Sequence, residues 1–232
     1  MRSPEIAPEI AHVTTPSARW KPLALRIIIT VVALAVWFWT QALLGARPGG
    51  SEAIGDGLHR LTAPLHDYLT GSMRAANVLL IVSSLGIDAL GIFLLGSWVF
   101  AGKLRPFVGL AMLLILRQIM QALCALPPPP GMIWHYPGFP SLLVTYGVAN
   151  DFFFSGHTAI AVFGATELAR LHKKWLTAFA IFLVLFEITA VIVLRAHYTM
   201  DIFTGLLAAV CVAAISEPVS RWIGPRERAA KT

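Results

Sequence analysis

The chain has 232 residues, of which 57% are hydrophobic and only 13% charged, with mean hydropathy +0.72 and a net charge of +6. A soluble domain of this length carries nearer 25% charged residues, so a water-soluble enzyme is excluded. The positive charge does not point to nucleic acid, because it is distributed as a membrane topology signal.

The first 22 residues form a tail of mixed polarity. The apolar run from Leu23 to Leu44 that follows is too long for a cleaved signal peptide and reads as a retained helix. "GLHRLTAPLHDYL", 57–69, reads as a short interfacial helix that shapes lipid access. The second apolar run spans Ala76 to Phe100 and the third Phe107 to Leu126. "PPPPGMIWHYPGFP", 127–140, is a stiff extended loop whose Trp134, Tyr136 and Phe139 suit a lipid–water interface, with His135 as a loop histidine. The remaining runs are Phe152 to Ala169, Trp175 to Leu194 and Tyr198 to Ile215. Gly205, Ala208 and Ala209 make the last one small-sided, which predicts a central packing position. Cys124 and Cys211 both fall inside apolar runs, so neither a disulfide framework nor a metal cluster is expected. The expected fold is all-α: a polytopic bundle of six transmembrane helices over residues 23–215, between cytoplasmic tails 1–22 and 216–232.

Orientation follows from lysine and arginine. Arg2, Arg19, Lys21 and Arg26 lie at the N-terminal end, and Lys103 and Arg105 between the second and third runs. Arg170, Lys173 and Lys174 follow the fourth run, and Arg221, Arg226, Arg228 and Lys231 end the chain. These are thirteen of the eighteen basic residues, all on one side of a six-span topology. Both termini are therefore expected in the cytoplasm, with the opposite face in the periplasm, the extracellular space or a lumen.

On that opposite face, separate stretches converge. His157 lies near the start of the fourth run in "NDFFFSGHTAI", and His197 and Asp201 lie at the start of the sixth in "LRAHYTMD". Arg195 is two residues before His197, and Arg117 is in the outer half of the third run. Ionisable groups at such positions are costly to keep and usually functional. Four residues apart on a helix, His197 and Asp201 share a face, and a carboxylate beside an imidazole fixes its tautomer and favours nucleophilic use of the other nitrogen. A second histidine can act as general acid. Ser155 and Gly156 would present backbone N–H groups at a helix start, and Arg117 and Arg195 can grip phosphate oxygens. Nucleophile, acid and anion cradle together equip a site for phosphoryl transfer through a phosphohistidine, without metal or cofactor. Glu187 is placed to support the site or to pair with Arg117, whereas Asp88 and Glu167 have no evident catalytic position. Asp151 can cap the fourth helix or attract a cationic head group. The phenylalanines are expected to sit in the bilayer edge or to line a dry, lipid-facing entrance.

"DFFFSGHT" and "RAHYTMD" resemble the two signature stretches of the sphingomyelin synthases and of the phosphatidylcholine:diacylglycerol cholinephosphotransferases, within the type 2 phosphatidic acid phosphatase superfamily. "RQIMQALCALP", from Arg117 to Pro127, resembles a third. The resemblance is best over residues 100 to 210. It implies a six-helix membrane enzyme with His197 as nucleophile, Asp201 as its partner and His157 as proton donor to the leaving group. It also implies membrane lipids as substrates, a phospholipid donor and a diacylglycerol-like acceptor. Two departures set the chain apart from the phosphatase members. Arg105-Pro106 is on the cytoplasmic side, and Phe154 stands where those enzymes carry proline. A third departure, Ala149-Asn150 in place of Cys-Gly, separates it from the sphingomyelin synthases. The function expected is transfer of a phospho head group, phosphocholine-like, to a lipid hydroxyl. The alternatives are hydrolysis of a lipid phosphate or diphosphate by the same histidines, and a non-enzymatic transporter or scaffold. The sequence leaves the oligomeric state open.

Overall fold

The computed structural model describes residues 16–45, 54–146 and 152–224. Its described residues form eight α-helices: α1 Pro16–Gly45, α2 Gly57–Leu61, α3 Ala63–Gly71, α4 Met73–Val99, α5 Leu104–Leu123, α6 Gly156–Ala169, α7 Lys174–Val193 and α8 Thr199–Ile223. Five are long and apolar enough to cross a membrane: α1 from Pro22 to Leu43, α4, α5, α7 and α8. Each coincides with an expected run, shifted by a few residues at its ends. The largest shift is in α8, which continues past Ile215 to Ile223.

The fourth expected span differs. Its helix, α6, has only 14 residues, about 21 Å at 1.5 Å per residue, short of a ~30 Å hydrocarbon core. The first residues of that run, Phe152 to Ser155, are not helical. Phe154 takes φ +83°, in the left-handed region that bulky side chains avoid. Phe152 and Phe154 are 2% and 1% exposed. They pack inside the protein rather than in the bilayer edge, which corrects the expectation drawn from their apolar character alone.

The expected interfacial helix is also split. Pro64 at the start of α3 cannot continue α2, and the break falls at Thr62.

The bundle packs around α6, which touches α4, α5, α7 and α8. Small residues permit the close approaches. A Cβ on Gly109 would fall 2.0 Å from the ring of the fully buried Phe163. On α8, Gly205, Ala208 and Ala209 are buried, as the small-sided pattern requires. Outward-facing side chains such as Leu25, Val31, Ile92, Phe182 and Phe203 are exposed, an apolar girdle suited to lipid rather than water.

One end of the bundle is tied by charge. Arg105 pairs with Glu167 and, at 3.3 Å, with Glu217, which also holds Arg170 and Arg221 at 3.1 Å each. Arg105-Pro106 is therefore spent on joining α5, α6 and α8. His157 and His197 lie at the other end, where α6 and α8 begin side by side and the Ser155 N–H donates to the Asp201 carbonyl at 3.0 Å. Gly205 makes that junction possible. A Cβ there would come 2.6 Å from the Ser155 carbonyl oxygen, and backbone cannot swing aside as a side chain can. Gly205→Ala is expected to cost about 1–3 kcal/mol and to slow turnover more than tenfold by displacing the start of α6. Thermal melting in detergent and an activity assay measure the two effects, and wild-type values in both would refute the account.

Candidate active site

Ser155 caps α6: its hydroxyl accepts from the Thr158 N–H at 3.3 Å and from the Thr158 hydroxyl at 3.0 Å. This sets His157 in the first turn of α6, 8% exposed, with its ring edge-on to Trp134 at 5.3 Å. Its Nε2 has no hydrogen-bond partner among the described residues.

His197 precedes α8. Its Nδ1–H donates to the Phe152 carbonyl at 2.9 Å, while the Asp201 carboxylate stands 3.7 Å from the same nitrogen. The expected pairing is thus electrostatic, and the orienting hydrogen bond comes from the non-helical turn before α6. Asp201 spends Oδ2 on the Tyr198 N–H at 2.9 Å, closing the start of α8. It is wholly buried, and its Oδ1 has no hydrogen-bond partner among the described residues. With Nδ1–H committed to the Phe152 carbonyl, Nε2 carries the lone pair, the state a nucleophile requires.

A cavity of about 50 Å³, room for a few waters, collects these groups. His157, His197, Arg117, Gly156, Trp134 and Phe152 line it. Arg117, 8% exposed, bonds through Nη1 to Gln41 of α1 and lies against Gly156. Histidines from two separate stretches, an arginine from a third and an aromatic ring from the loop thus meet at one small space. No group of three or more histidine, cysteine or acidic residues among the described residues could hold a metal ion.

Four expectations change. Arg195 is not in the cavity wall. It adopts φ +52° and donates to the Pro130 carbonyl at 2.9 Å, so it fastens the loop that follows α5. Ser155 cannot offer its N–H to a phosphate, since Asp201 uses it, and the anion cradle reduces to Gly156. Glu187 accepts from Ser83 at 2.6 Å instead of meeting Arg117. Trp134, expected at the lipid–water interface, covers the site, with its Nε1–H on the Thr145 carbonyl at 2.9 Å. Asp151 lies outside the described residues.

The site's support comes from α2 and α3, residues not expected at the site. Asp56 caps α2 and also accepts from the Thr199 N–H at 2.6 Å and hydroxyl at 2.7 Å. His59 donates from Nε2 to the carbonyl of His197 itself at 2.9 Å, and His66 from Nδ1 to the Val193 carbonyl at 2.9 Å. Both rings are buried. The signal was present: an Asp-Gly helix start followed by two histidines seven residues apart, which an interfacial helix has no use for.

Burial pushes the Asp56 carboxyl up, but the hydrogen bonds from Thr199 and from the His59 N–H together outweigh it and hold it below its ordinary value of 3.8. A carboxyl depressed in the folded state contributes stability above its unfolded pKa and loses it as pH falls through the folded one. Acid should therefore loosen the α2–α8 tie below about pH 4. Asp56→Asn should be less stable at neutral pH and flatter across that acid window. Identical pH–melting curves would contradict the assignment.

The AtPDCT1/2 family model matches residues 56–218. The chain belongs to that family. It is the phosphatidylcholine:diacylglycerol cholinephosphotransferase family, an enzyme family acting on membrane lipids. The match begins at Asp56, well before the segment where the resemblance was strongest, and so takes in the supporting α2 and α3. It ends within α8 and leaves α1 out. Among curated proteins, no relative matches the chain. The family finding lends no support to the phosphatase alternative.

Proposed function

We propose that the chain transfers phosphocholine from phosphatidylcholine to diacylglycerol through a phosphohistidine at His197. The observation that carries this is the shared cavity: His157, His197 and Arg117 around one space, with Trp134 as an aromatic wall. Family membership supports the substrates.

In the first step the Nε2 lone pair of His197 attacks phosphorus. The bond from phosphorus to the glycerol oxygen breaks, and that oxygen takes a proton from His157, releasing diacylglycerol. In the second step a new diacylglycerol hydroxyl gives its proton to His157, its oxygen bonds to phosphorus, and the P–N bond breaks. His157 ends protonated, as it began. Arg117 and the Gly156 end of α6 offset the charge on the phosphoryl oxygens. Asp201 stabilises the cationic His197 ring while the phosphoryl group is attached to Nε2. Trp134, packed on Tyr146 at 5.1 Å, offers the aromatic face a quaternary ammonium prefers, with Asp151 as its counter-charge. Ser155 positions the turn, and Arg195 holds the loop.

The site faces away from the cytoplasm, both termini are cytoplasmic, and α6 with the buried turn 152–155 makes a sixth crossing whose irregular backbone is sheltered by protein. The superfamily fold is that of the type 2 phosphatidic acid phosphatases.

Purified protein in vesicles holding choline-labelled phosphatidylcholine and an acyl-distinguishable diacylglycerol should yield labelled phosphatidylcholine bearing the added acyl chains. Release of water-soluble phosphocholine or phosphate, with no new phospholipid, would replace transfer by hydrolysis.

A further inference from the structure

The catalytic cavity has an apolar neighbour. Between α1 and α5 lies a second space of about 430 Å³, within the range of small-molecule sites. It runs along α1 from Thr30 to Thr40, about 15 Å of helix. Its lining contains no charged residue, and it shares two residues, Trp37 and Leu114, with the catalytic cavity. These two side chains are the partition between the spaces.

Three polar atoms on this lining are buried without a hydrogen-bond partner among the described residues: Thr30 Oγ1, Trp37 Nε1 and Gln118 Oε1. Trp37 and Thr30 are only 7% and 8% exposed. A buried polar atom left unpaired costs about 1–3 kcal/mol, so such atoms call for a partner. An N–H donor and an amide acceptor, set beside an otherwise apolar groove, match an uncharged lipid carrying ester carbonyls and a hydroxyl.

We infer that the α1–α5 groove is the binding site of the acceptor, a neutral diacyl lipid alcohol, whose hydroxyl end passes between Trp37 and Leu114 to reach the phosphorylated histidine. This rests on the transferase reading above. The donor fits worse: its phosphate and quaternary ammonium would meet no charged partner in the groove, whereas Arg117 and Trp134 meet them in the catalytic cavity. Gln41 links the two places, since it accepts from Arg117 and, at 3.1 Å, from the Gln118 side-chain amide. The acceptor's arrival is thereby coupled to the phosphate-facing arginine.

The test is photolabelling of the full chain in nanodiscs by a diazirine-bearing diacylglycerol, with mass-spectrometric mapping. Labelling should concentrate on α1 residues 30–40 and α5 residues 107–119, and should be competed by unlabelled diacylglycerol but not by phosphatidylcholine. Ala111→Trp, which fills the groove, should reduce it at least tenfold, and the smaller Ala111→Leu should do so in part, both at wild-type melting temperature. In the transfer assay these variants should raise the KM for diacylglycerol several-fold while leaving that for phosphatidylcholine near wild type. His197→Ala should label as wild type does, because binding precedes chemistry. Labelling spread evenly over the girdle, or competed equally by phosphatidylcholine, would overturn the groove assignment. Selective labelling in a protein that only hydrolyses would instead overturn the transferase reading and leave the groove as a neutral-lipid site.

Discussion

His197→Ala should abolish transfer, by about four orders of magnitude or more, if its Nε2, the nitrogen left free by the Nδ1–H bond to the Phe152 carbonyl, is the one that takes the phosphoryl group. His157→Ala should slow it by about 10²–10⁴, the usual contribution of a positioned general acid. The two losses have different chemical characters, and that difference tests the roles. A donor whose leaving group needs no proton, such as p-nitrophenyl phosphocholine, bypasses the acid in the first step. With it, His157→Ala should give a rapid burst of nitrophenolate while His197→Ala gives none. Asp201→Asn should fall between wild type and His197→Ala: the Phe152 carbonyl still holds the ring's tautomer, and only the carboxylate 3.7 Å away loses its charge. Trapping of phosphocholine on a residue other than His197, or full turnover in His197→Ala, would end the phosphohistidine mechanism. Folding of each variant is checked by melting temperature, since both histidines are buried.

Long apolar runs were sufficient to locate five helices to within a few residues, because membrane spans are set by length and hydropathy alone. They misjudged α6 for a physical reason. Apolar character says that Phe152 and Phe154 avoid water, not whether lipid or protein receives them, and a positive φ at Phe154 has no hydropathy signature. That the two histidines, Asp201 and Arg117 would meet was legible from their spacing and their places along the expected helices. Arg195 and Ser155 were misread because their positions fitted a phosphate, while the loop carbonyl of Pro130 and the Asp201 carbonyl that occupy them lie far away in sequence. The same holds for Asp56 and His59, whose value comes from backbone groups more than a hundred residues distant.

Asp88 shows how a residue without a catalytic position still governs the cavity, and Asp88→Ala is expected to be strongly destabilising. Its carboxylate, 9% exposed in the middle of α4, accepts from three donors. The Ser141 hydroxyl is shared between its two oxygens at 3.0 and 2.9 Å, the Leu142 N–H donates at 2.8 Å and the Leu143 N–H at 2.9 Å. This fastens the loop that follows α5 to the bundle. Three residues on, Gly91 leaves room for the loop's Leu143, whose Cδ1 lies 2.3 Å from where a Cβ would stand. Leu143 and Val144 then line the catalytic cavity, and Thr145 receives Trp134. Truncation to alanine leaves donors unpaired at about 1–3 kcal/mol each, so a loss of about 3 kcal/mol is expected after partial rescue by water. Because the loop carries one wall of the cavity, on the proposed mechanism the surviving protein should also leak, giving more water-soluble phosphocholine per transfer than wild type. Asp88→Asn should be milder, since its amide oxygen still accepts while its NH₂ opposes the remaining donors. Melting temperature, hydrogen exchange over residues 141–146 and the ratio of hydrolysis to transfer measure the three consequences. A variant that melts like wild type and protects those amides would show that the loop is held from elsewhere.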